Sequence, residues 1–255
     1  MSAVLKNDSQ ILHAISLGNQ SDLDDLMRLR SGLVCNHQIN AEIKNDVAKL
    51  FRFFELYAYF VYNFSFYVCE LFTSLKDDGL KVIIYENLLE ELGVSGNQSG
   101  GWRSHHGEMY RQFIQSLRQT SIYPTVILPD EISILESKSK KISEHFYSIH
   151  RQIIAEEQDS QSLAAFSTIE CWVSQQYGLW KNYLSNIGED FQHIDIRTID
   201  MHCVCDVEHS ASLDALLSCQ ITRANPESIY GIKIGILRGM SASEQMFTDI
   251  RELLG

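Results

Sequence analysis

The chain has 255 residues, of which 45% are hydrophobic and only three are prolines, and its formal net charge at pH 7 is −12. A chain of this length can form one substantial core, and the scarcity of proline leaves long helices uninterrupted. The negative charge and the lack of a long basic run give nucleic-acid binding little electrostatic support, so we expect a small-molecule substrate.

The N-terminus and the cysteines indicate the compartment. The first ten residues contain Lys6 and Asp8 and no apolar stretch that ends at a small-residue cleavage site, so they do not resemble a secretory signal. Six cysteines in a chain of this length lack the density of a disulfide scaffold. We therefore expect reduced, mostly buried thiols and a cytoplasmic location.

The most apolar segment, residues 50–72, is long enough to span a bilayer, but Arg52, Glu55, Asn63 and Glu70 interrupt it. Its aromatic residues lie around the whole circumference of a helix, which is typical of a helix buried on several sides. The pattern predicts a central core helix rather than a membrane span. Such a helix could also form an apolar wall beside a substrate pocket.

Six further helical patterns follow, separated by glycine, proline or polar breaks. They cover residues 79–92, 104–120, 130–158, 161–184, 190–222 and 227–252. Residues 229–239 could pass for a short strand by their β-branched content, but we assign them to the last helix. The sequence therefore predicts one all-α domain over residues 1–255, a bundle of about seven helices.

Three potential metal ligands share one face of a predicted helix. His202, Asp206 and His209 are spaced i, i+4 and i+7, so they fall within an arc of about 60°. Imidazole and carboxylate ligands suit iron, manganese or zinc, whereas calcium and magnesium prefer oxygen ligands. The alternative is a pair of histidines on a solvated face.

Two other places could supply further ligands. Glu170 lies in a strongly apolar stretch, where a lone carboxylate is costly unless it is paired or bound to a cation. A second group surrounds one break between predicted helices, although glutamates at helix surfaces are usually just solvated. Its members are Glu86, Glu90, Glu91, His105 and His106.

Together these blocks resemble the heme-oxygenase-like di-iron oxidases and oxygenases, a superfamily that includes the chlamydial death-domain-associating protein and is similar in fold to thiaminase-II and pyrroloquinoline-quinone synthase. The resemblance rests on residues 87–93 with 106–110, on Glu170, and on the spacing from His202 to His209. Glu170 precedes His202 by 32 residues, close to the separation in that family. The resemblance implies a heme-oxygenase-like bundle whose metal-binding core covers about residues 50–222.

The same resemblance implies the ligands and the cofactor. By position, the implied iron ligands are Glu91, His106, Glu170, His202, Asp206 and His209. Glu90 is the alternative to Glu91, and His105 is a poorer match than His106 to the position before Met109. The implied cofactor is two ferrous ions per chain, with manganese possible, and the implied reaction is O2-dependent oxidation of an amine, amino acid, fatty acid or aromatic precursor. The family also allows a homodimer.

Two other classes of function stay open at this stage. One is a metal-free helical binding or interaction module, in which His202 and His209 have structural roles. The other is a cofactor-free enzyme similar to thiaminase-II, which would need a nucleophilic cysteine beside a carboxylate. Cys69 and Cys171 are the candidates, although neither lies in a recognisable catalytic signature.

Overall fold

The computed structural model describes residues 20–94, 105–223 and 226–255, and every regular element in these ranges is helical. The predicted all-α class is therefore confirmed for this part of the chain. A 3-10 helix covers Gly188–His193. The α-helices are α1 (Gln20–Cys35), α2 (Gln38–Ile43), α3 (Val47–Ser74), α4 (Asp78–Glu91), α5 (His106–Arg118), α6 (Tyr123–Val126), α7 (Pro129–Ala155), α8 (Asp159–Ser185), α9 (Arg197–Arg223) and α10 (Pro226–Leu254).

The seven predicted helices correspond to α3, α4, α5, α7, α8, α9 and α10, whereas α1, α2 and α6 were not predicted. The assignment of residues 229–239 to a helix is confirmed. Two predicted ends were wrong. Helix α7 ends at Ala155 rather than at residue 158, because Glu157 has a φ of 56°, in the left-handed region that ends a helix. Helix α9 begins at Arg197 rather than at residue 190, because Ile194 adopts an extended backbone after the 3-10 helix.

Helix α3 is the central helix of the core, as its aromatic residues predicted. It packs against α4, α5 and α7. The rings of Phe53 and Phe54 lie 5.0 and 5.7 Å from Trp180 of α8, and Phe60 lies 5.1 Å from Phe146 of α7, measured between ring centroids. Aromatic contacts therefore surround α3 on more than one side. None of the described helices combines the length and the apolarity that crossing a membrane requires.

Helix α8 lies between α9 and α10 and makes close backbone contact with α10. A Cβ atom built on Gly235 would overlap the carbonyl oxygen of Gln161, and one built on Gly239 would lie 2.9 Å from the carbonyl oxygen of Ala165. Only glycine allows the two backbones to approach this closely. This contact fixes α8, the helix that carries Glu170.

Helix α1 joins α8 to α9 through one buried guanidinium group. Arg30 is 1% exposed, and its Nη1 donates a hydrogen bond to the Ser167 hydroxyl of α8 at 2.9 Å. Its Nη2 forms an ion pair with Asp214 of α9. A buried charge with such partners holds α1, α8 and α9 in one relative position. The relative position of Glu170 and the histidines of α9 therefore depends partly on α1.

Candidate metal centre

The end of α4 and the start of α5 bring Glu91 and His106 together. Gly93 has a φ of 71°, and its N–H donates to the Glu90 carbonyl oxygen at 2.8 Å, so α4 ends directly after Glu91. His106 is the first residue of α5. Its Nδ1 lies 2.9 Å from Oε1 of Glu91, and both side chains are buried.

The two neighbouring histidines at this helix start have different roles. The Nδ1 of His105 accepts a hydrogen bond from the backbone N–H of Glu108 at 3.3 Å, so His105 is the N-cap of α5. Its Nε2 lies 3.3 Å from the Ser65 hydroxyl. His105 is thus held by backbone and hydroxyl groups, whereas His106 contacts a buried carboxylate.

His202 of α9 completes a group that could hold a metal ion. Glu91, His106 and His202 each offer one ligand atom, and these atoms lie within 4.8 Å of one another. The Nε2 atom of His106 is buried and has no hydrogen-bond partner among the described residues. Buried polar atoms are rarely left without a partner, and a bound ion would satisfy this one. The donor set, two imidazoles and a carboxylate, fits a transition-metal ion.

The His202 ring is oriented from two sides. Its Nδ1 donates to the carbonyl oxygen of Thr198 at 2.6 Å, which leaves the lone pair on Nε2. The Tyr177 ring stacks on it, with the centroids 4.3 Å apart and the planes 16° apart. Burial, and then the neighbouring His106, lower the pKa of His202 to about 4. A neutral imidazole whose other nitrogen is hydrogen-bonded is the form that binds metals.

A second group of side chains lies beside the first. The Nε2 of His209 is hydrogen-bonded to Glu90, and its Nδ1 lies 3.7 Å from Oε2 of Glu170. The hydrogen bond to His209 is the largest factor that lowers the pKa of Glu90. Burial raises the pKa of Glu170, and the nearby Glu91 carboxylate raises it further, although His209 acts in the opposite direction.

The two groups share one small cavity. Its volume is about 20 Å³, which is enough for about one water-sized occupant. Two buried carboxylates and one imidazole face a wall that is otherwise mainly apolar and aromatic. The cavity is lined by Tyr57, Phe60, Val61, Phe64, Glu91, Glu170, Val173, Tyr177 and His202.

The structure places five of the six predicted ligands around this cavity or directly beside it. Glu91, His106 and His202 form one group, and Glu170 contacts His209 next to it. The backbone of Asp206 belongs to α9, but its side chain lies outside the described part of the chain. Glu90 and Glu91, which the sequence offered as alternatives, contact different histidines.

Sequence reasoning missed the groups that orient the ligands. Thr198 lies four residues before His202, one helical turn away, and this spacing could have suggested a contact with the imidazole. Tyr177 follows Glu170 by seven residues and therefore shares its helix face. The chemistry of a threonine carbonyl or a phenol ring gives no signal in a search for metal ligands.

The two candidate cysteine nucleophiles lie away from the cavity wall. Cys69 is exposed and Cys171 is half-buried, and neither is among the described residues that line the cavity. The prediction of mostly buried thiols was wrong for the described cysteines, which are half-buried or exposed. A thiaminase-type reaction at this cavity would therefore have no thiol to use among these residues.

Comparison with known proteins does not identify the chain. No family model matches its sequence, and no significant match is found among curated proteins. Its function is therefore argued from its own residues and their geometry.

Proposed function

We propose that this chain is a non-heme di-iron oxidase or oxygenase of the heme-oxygenase-like type, which uses O2 to oxidise a small organic substrate in the cytoplasm. The observation that carries the proposal is the buried group of Glu91, His106 and His202, in which Nε2 of His106 has no hydrogen-bond partner in the described part of the chain. Mixed imidazole and carboxylate ligands suit iron, and manganese is the second choice.

Two metal positions account for the two groups of side chains. Site 1 consists of Glu91, His106 and His202. Site 2 consists of Glu90, Glu170 and His209, to which Asp206 would add from the same helix. Glu91 and Glu170 are 4% and 3% exposed and line one cavity. Two buried carboxylates that line one cavity are costly unless cations compensate their charge.

The side chains around the two sites have separate tasks in the proposed reaction. Two ferrous ions would supply the electrons and the open coordination positions that O2 reduction requires. The Thr198 carbonyl and the Tyr177 ring hold His202 in the orientation that presents Nε2. Phe60 and Phe64 give the cavity an apolar wall, which keeps water away from the ligands.

Anaerobic reconstitution with ferrous iron tests the proposal. We expect close to two equivalents of bound iron in the wild-type chain. His106→Asn should retain about one, because it removes a ligand of site 1. His105→Asn is the matched control, since it changes the adjacent histidine in the same way and asparagine also caps helices well. It should retain both equivalents.

Iron content after desalting and the absorption spectrum of the cobalt-substituted protein are the measurements. Binding of a single equivalent at saturation would contradict two sites. Retention of no iron would favour the metal-free binding module instead. Equal losses in the two histidine variants would show that the effect comes from the helix start and not from a ligand.

A further inference from the structure

A second cavity lies on the side of α3 opposite the candidate metal centre. Its volume is about 240 Å³, and it lies between α3, α5 and α7. On α3 it is lined by Glu55, Ala58, Tyr59 and Tyr62, whereas the metal-centre cavity is lined by Tyr57, Phe60, Val61 and Phe64. At about 100° per residue the mean directions of these two sets lie about 160° apart. The second cavity is therefore a separate pocket.

The base of this pocket is a buried ion pair that is already satisfied. Glu55 is 1% exposed and accepts two hydrogen bonds from Arg118, at 2.8 and 2.7 Å. The Tyr123 hydroxyl donates a third at 2.5 Å. A bidentate arginine–carboxylate pair of this kind is strong and geometrically fixed. It forms a rigid wall whose two charges cancel.

The remaining charges of the pocket are one cation and one anion that solvent can reach. The Arg111 side chain is 51% exposed, and its guanidinium carbon lies 4.5 Å from the centroid of the Tyr62 ring. Its contact with Glu108 is long, at 3.4 Å. Glu136 is 48% exposed and accepts a hydrogen bond from Arg118 at 3.0 Å. The pocket thus presents a positive and a negative group from different helices.

The same pocket also has apolar surface. The Tyr59 and Tyr62 rings are 5.5 Å apart between centroids, and Ile114 lines the pocket from α5. Aromatic and branched side chains favour a ligand with a ring or a branched apolar body.

We propose that this pocket binds a small zwitterion with an apolar body, of the α-amino acid class. The carboxylate of the ligand pairs with Arg111, its ammonium group pairs with Glu136, and its side chain packs on Tyr62 and Ile114. A simple anion would meet the Glu136 carboxylate and the overall charge of −12, and a simple cation would meet Arg111. A ligand with both charges is the one that the pocket complements.

Calorimetric titration with three related probes tests the proposal. L-Phenylalanine carries both charges, 3-phenylpropanoate lacks the ammonium group, and 2-phenylethylamine lacks the carboxylate. L-Phenylalanine should bind at least about tenfold more tightly than either analogue, because each analogue can form only one of the two ion pairs with the pocket. Equal affinity for 3-phenylpropanoate or for 2-phenylethylamine would overturn the assignment, as would the absence of saturable binding up to about 10 mM.

Three variants locate the binding. Arg111→Gln and Glu136→Gln should each weaken L-phenylalanine binding about tenfold or more. Both change half-exposed ion pairs, which contribute little to stability. Arg151→Gln is the matched control, since Arg151 is also half-exposed and pairs with Glu70 outside the pocket, and it should bind like the wild type. Unchanged binding in both pocket variants, or loss of binding in the control, would overturn the proposal.

The test is independent of the metal. His106→Asn should bind L-phenylalanine as the wild type does, whether or not the wild type binds iron. Loss of the amino acid in that variant would place its site at the metal centre and overturn the proposal.

Discussion

Glu90 and Glu91 are adjacent in sequence but contact different histidines at the metal centre. Glu91 is buried against His106, and Glu90 is partly exposed and hydrogen-bonded to His209. Their directions differ by about 100° around the end of α4, so one helix end can serve two neighbouring sites.

We expect Glu91→Ala and Glu90→Ala each to lower iron binding by about one equivalent, but at different sites. Glu91→Ala should also destabilise the fold by about 1–3 kcal/mol, because it leaves His106 buried without its hydrogen-bond partner. Iron content and urea unfolding measure the two effects. A loss of iron confined to Glu90→Ala would show that Glu91 has only a structural role.

His150 should make the stability of the chain depend on pH. Its Nδ1 is hydrogen-bonded to the Tyr67 hydroxyl at 3.0 Å, and burial lowers its pKa from 6.5 to about 3. Below pH 6.5 the unfolded chain therefore binds a proton that the folded chain does not. Stability should fall as the pH decreases from about 6.5 to about 3, with a slope of up to about 1.4 kcal/mol per pH unit from this residue.

Urea unfolding between about pH 4 and pH 7 measures this slope. His150→Gln should reduce it, and the exposed His193 provides the control variant His193→Gln, which should leave it unchanged. An identical slope in wild type and His150→Gln would contradict a neutral buried His150.

The ligands and their orienting partners differed in how well the sequence revealed them. Histidine, aspartate and glutamate at helical spacing are rare enough to be noticed, and the same face of a helix brings them together. The role of His105 as an N-cap depends on where α5 begins, and this position follows from the contact between His106 and Glu91. Such roles are set by tertiary structure and could not be predicted from local sequence.

At the level of elements, the contact between α8 and α10 should be the most sensitive to added volume. Gly235→Ala places a methyl group against the Gln161 backbone and should destabilise the fold by about 1–3 kcal/mol. Gly178→Ala in α8 is the control, because a Cβ there meets no described atom within 4 Å. That change should be neutral or stabilise the helix by up to about 1 kcal/mol. Thermal unfolding compares the two, and equal effects would contradict the close contact.

The helices from α3 onward were predictable where apolar periodicity and breaking residues agree along many turns. Helix α1, although 16 residues long, was not predicted, and neither were the short elements. Helix α6 has only four residues, and Tyr123 in it is held by the buried Glu55 of α3. The end of α7 depends on a left-handed Glu157, a conformation that the residue type does not predict.

At the level of the whole molecule, metal binding should stabilise the fold, because ligands on α4, α5, α8 and α9 would share the bound ions. At about 100 times the dissociation constant, binding adds about 2.7 kcal/mol, which corresponds to roughly 5–10 °C in the unfolding midpoint. Differential scanning calorimetry with Mn²⁺, and again after a chelator, measures the shift. His106→Asn should show a smaller shift, and an equal shift would place the metal elsewhere.

The packing of the helices could not be read from the sequence. The Arg30–Asp214 pair joins residues 184 apart in the chain, and nothing near either residue indicates the other. The heme-oxygenase-like arrangement and the single domain over residues 1–255 accordingly remain predictions, whereas the all-α class follows from local periodicity alone.

The ring contacts beside His202 should allow tryptophan fluorescence to report metal binding. Trp180 lies 4.8 Å from Tyr177 between ring centroids, and Tyr177 lies 4.3 Å from His202. The buried Trp180 indole thus contacts Tyr177, which in turn contacts His202. A paramagnetic ion bound to His202 should therefore quench the Trp180 fluorescence, whereas Zn²⁺, with its filled d shell, should not. The quenching should largely disappear in Trp180→Phe and persist in Trp172→Phe, so that tryptophan emission reports site occupancy in real time.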